Sequence, residues 1–143
     1  MMGIARTQTQ NCRFNDRHVI LVQQGSAIEL QAVNEMISVL GYRVTPIQES
    51  GEALSCVNRE PCDVVIIELN LRQINGYQLA RRIRRHSPRT RILLMTACCQ
   101  AEVAEFMDER VVDGWLFKPF GIEALNDMLE NVQNSELEAE WTT

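Results

Sequence analysis

The stretch "DVVIIEL", residues 63–69, sets four β-branched apolar side chains in an unbroken row before a glutamate. A strand with one wet face alternates apolar and polar residues. A strand apolar at every position is buried on both faces, which is the habit of a parallel sheet covered by helices on each side. Reading outward, "HVILV" (18–22) is a second short apolar run, and "YRVTPI" (42–47) is a weaker strand whose Pro46 places it at an edge. "RILLMT" (91–96) and "GWLF" (114–117) complete the strands. Helical segments fill the gaps. Ser26 and Glu29 form a capping-box signal ahead of the apolar stripe Ile28, Val33, Met36, Ile37 and Leu40, and Gly41 takes the C′ position. "SGEALSCVNRE" (50–60), "GYQLARRIRRH" (76–86, Leu79 and Ile83 inward), "QAEVAEFMDER" (100–110) and "GIEALNDMLENVQ" (121–133) follow as further helices. Strand and helix alternate throughout, which predicts an α/β doubly wound parallel sheet with five strands and five flanking helices. Residues 18–133 form the domain, residues 1–17 a flexible N-terminal tail and residues 134–143 an acidic tail or linker.

Composition narrows the class. The chain has 143 residues, 45% hydrophobic and 23% charged, enough for one domain with a real core. Its net charge of −5 argues against a dedicated nucleic-acid binder. No apolar run approaches the roughly 20 residues of a membrane span, and the polar N-terminus has no secretory core, so a cytoplasmic chain is expected. Five cysteines at no metal-ligand spacing predict free thiols, with Cys56 and Cys62 in packing roles and Cys98 and Cys99 after a strand end.

In doubly wound sheets the functional crevice lies beyond the carboxyl ends of the strands. Four strands end there on polar side chains: Gln23 and Gln24, Glu68, Thr96 and Lys118. Lys118, inside "DGWLFKPFG" (113–121), is the only lysine among fourteen basic residues. With "KPF" after the fifth strand, Thr-Ala after the fourth and "NG" eight residues past Glu68, the chain resembles a response-regulator receiver domain over residues 18–133. That resemblance implies the flavodoxin-like strand order 2-1-3-4-5 and a site in which two acids and an aspartate hold magnesium. It also implies that the aspartate accepts a phosphoryl group from a histidine kinase, as in a phosphorelay, while Thr and Lys bind its oxygens. A compact lysine ammonium suits that task better than a planar guanidinium.

Several positions depart from the family pattern. Gln23 and Gln24 stand for the acidic pair and Glu68 for the phospho-acceptor; Arg72 replaces a proline and Asn75 an aspartate, while Asn70 falls where only a backbone carbonyl is used. Neutral amides hold magnesium poorly, so magnesium binding is expected to be lost or weak, with no cofactor. The longer Glu68 is expected to pair with Lys118, to accept a hydrogen bond from Thr96 and to imitate the phosphorylated state. The reading is a pseudo-receiver, a two-component signalling and protein-interaction module that is not an enzyme. Trp115 takes the switch-aromatic position, and a protein partner, or a second copy of the chain, is expected on the face formed by the fourth helix, fifth strand and fifth helix. The arginine run at 81–91 reads as a solvated helix face, so nucleic-acid binding through it is not expected. Two alternatives stand beside this reading: a working phospho-receiver with unusual ligands, and the N-terminal regulatory domain of a DNA-binding transcription regulator.

Overall fold

The computed structural model describes the backbone of residues 17–142 and the side chains of residues 17–134. Apart from Arg17, the segment read as an N-terminal tail lies outside the described residues. In order come β1 (His18–Val22), α1 (Ala27–Val39), β2 (Arg43–Ile47), α2 (Ser50–Arg59), β3 (Val64–Glu68), α3 (Gly76–His86), β4 (Arg91–Thr96), a 3-10 helix (Gln100–Phe106), β5 (Gly114–Phe117) and α4 (Ile122–Thr142). All neighbouring strands pair in parallel in the order β2-β1-β3-β4-β5. This is the doubly wound sheet that the apolar run at 63–69 demanded, with β2 at an edge as Pro46 required.

Strand parity divides the core into two layers. Ile20, Val22, Val65, Ile67, Ile92 and Leu94 pack with Ala53 of α2 and with Leu79 and Ile83 of α3. Val19, Leu21, Val64, Ile66, Leu93 and Met95 face the other way, onto Val33 and Ile37 of α1 and Leu125 and Leu129 of α4. Glu68 continues the register of Val64 and Ile66, so the strand delivers its carboxylate towards the α1 side. That parity positions the site.

Four local expectations are corrected. Ile28, in the first turn of α1, is 82% exposed and contributes nothing to the stripe, whose buried residues are Val33 and Ile37. The capping box of α1 is half formed: Ser26 Oγ accepts from Glu29 N at 3.2 Å, but the Glu29 carboxylate reaches Lys118 instead of the cap. The fourth helix is a seven-residue 3-10 turn with Val103 as its one buried residue, since so small an apolar face anchors no longer helix. After it, the Asp108 carbonyl accepts from Val111 N and Val112 N and turns the chain into β5. Finally, α4 runs past residue 133 to Thr142, beyond the boundary drawn from periodicity.

Gly76, the first residue of α3, is required by close approach. A Cβ there would sit 2.4 Å from the Glu68 carbonyl oxygen and 2.9 Å from Leu69 Cα, both backbone atoms that cannot swing away. The Gly76 N–H donates to Leu69 O at 2.7 Å, tying the helix start to the end of β3. Gly76→Ala is expected to cost about 1–3 kcal/mol, read by urea unfolding, and to shift the amide resonance of Glu68.

Candidate functional site

The crevice is assembled from four strand ends and the first turn of α1. Lys118 follows β5, its N–H donating to Thr96 O at 2.8 Å, which sets β5 against β4. Its ammonium donates to Glu68 Oε1 and also bridges to Glu29 Oε1. The side chains are 17% exposed for Lys118, 9% for Glu68 and 42% for Glu29, so the inner pair is shielded and the outer one is wet. Burial pulls the Lys118 pKa down, but hydrogen bonds and charge from Glu29 and Glu68 more than offset this and hold it above the ordinary 10.5.

A cation whose pKa rises on folding adds stability that is complete below its unfolded pKa and is lost as pH climbs through the folded value. The domain should therefore lose stability above about pH 10.5, and Lys118→Met should lose less over that interval. Tyr42 is shifted upward by burial and erodes stability in the same direction, so the difference between the two proteins isolates Lys118. Denaturant titrations at pH 8 and pH 11 measure it.

The two glutamines behave differently. Gln24 uses both ends of its amide: Nε2 donates to Gln48 O at 2.8 Å and Oε1 accepts from Arg72 N at 2.7 Å. Two departures from the family pattern thereby explain each other, because a proline at position 72 would have no N–H to give. Gln24 laces the end of β1 to the loops after β2 and β3. Gln23 is 1% exposed, and its amide nitrogen and oxygen have no hydrogen-bond partner among the described residues.

Thr96 is fully buried, and its hydroxyl oxygen accepts from Cys98 N at 3.1 Å, so it shapes the β4 loop. No Thr96–Glu68 hydrogen bond forms among the described residues. Asn75 caps α3 in a reciprocal capping box with Gln78, at 2.8 and 3.0 Å, and Asn70 and Arg72 are exposed. Trp115 is half-buried and stacks on Phe117, with ring centroids 5.9 Å apart and planes 14° apart, on the α3-facing side of β5. Cys56, Cys62, Cys98 and Cys99 are free thiols. Burial pushes the Cys62 thiol up to about 12, which leaves it unreactive at neutral pH.

Glu29 is the crevice residue that sequence reasoning missed: its carboxylate bridges to Lys118. Its place three residues after Ser26 assigned it to the helix cap. The signal was positional, since the first turn of α1 opens at the same end of the sheet as Gln23, Glu68 and Lys118.

A 2-1-3-4-5 parallel sheet whose strand ends gather a carboxylate, a threonine and a lysine defines a doubly wound α/β domain with its crevice above the central strands. The profile of the response regulator receiver domain matches residues 19–130, and the chain belongs to that family. It is 35% identical over 117 residues to the virulence sensor protein BvgS of Bordetella bronchiseptica, covering 77% of this chain and 10% of that protein. It is 28% identical to the sensor histidine kinase RcsC of Salmonella typhi, over 86% of this chain and 13% of the relative. The structure superimposes on chemotaxis protein CheY4 of Vibrio cholerae with a TM-score of 0.74 at 28% identity, covering 81% of this chain and 98% of the other. The chain thus spans about a tenth of the length of the sensor proteins it matches. Among the described residues no helix is long and apolar enough to cross a membrane.

Proposed function

We propose that this receiver domain has given up phosphoryl transfer and works as a phosphorylation-independent binding module. One observation carries the reading: Lys118, the charge that would meet a phosphoryl group, is already held between Glu68 and Glu29. The donors also suit magnesium badly. Gln24 has both amide ends committed to the backbone, Gln23 offers one neutral oxygen, and the Glu68 carboxylate is neutralised by Lys118. Magnesium draws its affinity from carboxylates it does not share with an ammonium. Nor does Glu68 place its oxygen where an aspartate would, and a misplacement of about 1 Å can cost about a hundredfold in rate.

In this reading the Glu68–Lys118 link stands in for the phosphoryl–lysine contact and holds the β4–β5 edge in one conformation. The module is then a constitutive signalling element and not an enzyme. Its partner docks on the face of the 3-10 helix, β5 and α4, where the Trp115–Phe117 stack offers an aromatic anchor. A second copy of the chain is the other candidate for that face. Amide spectra of Glu68→Gln test the link. Resonances of Thr96, Ala97 and Trp115 should move, because Lys118 loses its inner partner and relaxes toward Glu29. Unchanged spectra along β4 and β5 would reduce the pair to a local structural contact.

A further inference from the structure

Helix α3 carries a charge arrangement that the fold does not use. From Leu69 to Ala101 the chain holds seven arginines and no Asp or Glu, inside a protein of net charge −5. Arg84 is spent within the domain: it donates to Pro88 O, Thr90 O and Val111 O, and pairs with Asp113 at 2.7 Å. Arg81, Arg82 and Arg85 are exposed and have no hydrogen bond or ion pair among the described residues. With Ile74 and Gln78 they line a groove of about 220 Å³ along the helix. On α3, positions 78, 81, 82 and 85 follow the 3.6-residue period and form a straight stripe roughly 10 Å long at 1.5 Å per residue. Ile74, just ahead of the N-cap Asn75, continues the groove.

Like charges at i,i+3 and i,i+4, here Arg82–Arg85 and Arg81–Arg85, oppose helix formation. The helix dipole compensates only in the last turn, so Arg81 and Arg82 weaken the free helix. Anionic groups at matching spacing would relieve that repulsion. We infer that the arginine stripe of α3, with Ile74 at its N-terminal end, is a docking site for an acidic helical protein segment. Such a segment would present carboxylates within one helical turn, at i, i+3 and i+4, opposite Arg81, Arg82 and Arg85, with one apolar side chain about two turns away over Ile74. The half-buried Ile74 supplies the apolar contact, and three guanidinium groups supply fork-shaped partners for carboxylates. A duplex is the poorer fit: the acidic remainder of the molecule repels a polyanion, and no aromatic side chain interleaves with the arginines at 81–85. The site lies on the opposite side of the sheet from α1, and the inference does not rest on the chemistry of the crevice.

The test is fluorescence anisotropy with the full chain and a labelled 16-residue helical peptide bearing glutamates at that spacing, at about 0.15 M salt, where exposed charges interact over roughly 8 Å. Saturable binding is expected, weakened about tenfold or more by R82Q/R85Q. A peptide of the same composition with its glutamates spread around the helix should bind at least about fivefold more weakly. Circular dichroism confirms that the variant is folded, as exposed side chains allow. Failure to saturate, equal binding of the two peptides, or equal binding by the folded variant would overturn the inference. Tighter binding of a 20-base-pair duplex would make the stripe a nucleic-acid site, and self-association abolished by R82Q/R85Q would make the occupant a second copy. Either outcome would also overturn it.

Discussion

Exchanging Lys118 for methionine is expected to destabilise the domain by about 3 kcal/mol at neutral pH, the size typical of a buried pair that loses one partner. The loss arises because Glu68 stays behind, 9% exposed, with a charge it can no longer share. Glu29 is 42% exposed and will be rehydrated, so its bridge accounts for about 0–1 kcal/mol. Adding Glu68→Gln to Lys118→Met removes the stranded charge and should return most of the lost stability. Glu29→Gln added to Lys118→Met should return almost none. Urea unfolding of the four proteins gives the comparison. A cost below about 1 kcal/mol for Lys118→Met would show a solvated contact and no internal link.

The largest chemical effect is expected from putting acids back. Gln23→Asp, Gln24→Asp and Glu68→Asp together should let magnesium bind and let the domain take a phosphoryl group from acetyl phosphate. In that step the aspartate oxygen attacks phosphorus, the bond to the acetate oxygen breaks, and acetate leaves. Intact mass spectrometry should find the triple variant labelled at least about a hundredfold faster than the wild-type chain, the factor that geometry alone can contribute. Without magnesium the same variant should be less stable than wild type. Gln24→Asp loses the donor to Gln48 O, and Gln23→Asp puts a charge at a position that is 1% exposed. Equal labelling of wild type and variant would mean that the present residues already support the reaction.

The fold was legible because its strands are extreme. The row Val64–Ile67 has no polar position, and that alone required helices on both sides of the sheet. Each strand end, and so each crevice residue taken from a strand, followed from the same reading. The Glu68–Lys118 pair was legible too, as the meeting of a lengthened acid with a solitary lysine. Side-chain choices between equivalent partners were not legible. Glu29 had two calls on its carboxylate, the cap at Ser26 and the ammonium of Lys118, and only the tertiary placement of α1 decides between them. Gln24 looked like a lost acid, whereas its amide needs both a donor and an acceptor end, for Gln48 O and Arg72 N. The 3-10 helix escaped because residues 100–110 are good helix formers by propensity, and what shortens them is the scarcity of buried contacts beyond Val103.

The most direct measurement is an amide NMR titration of the wild-type chain with magnesium and beryllium fluoride, a mimic of the transferred phosphoryl group. A crevice already closed by Glu68, Lys118 and Glu29 should give no saturable change at those residues or at Thr96 up to millimolar ligand. Saturable shifts centred on Glu68 and Lys118 would contradict this and return the domain to the working phospho-receivers.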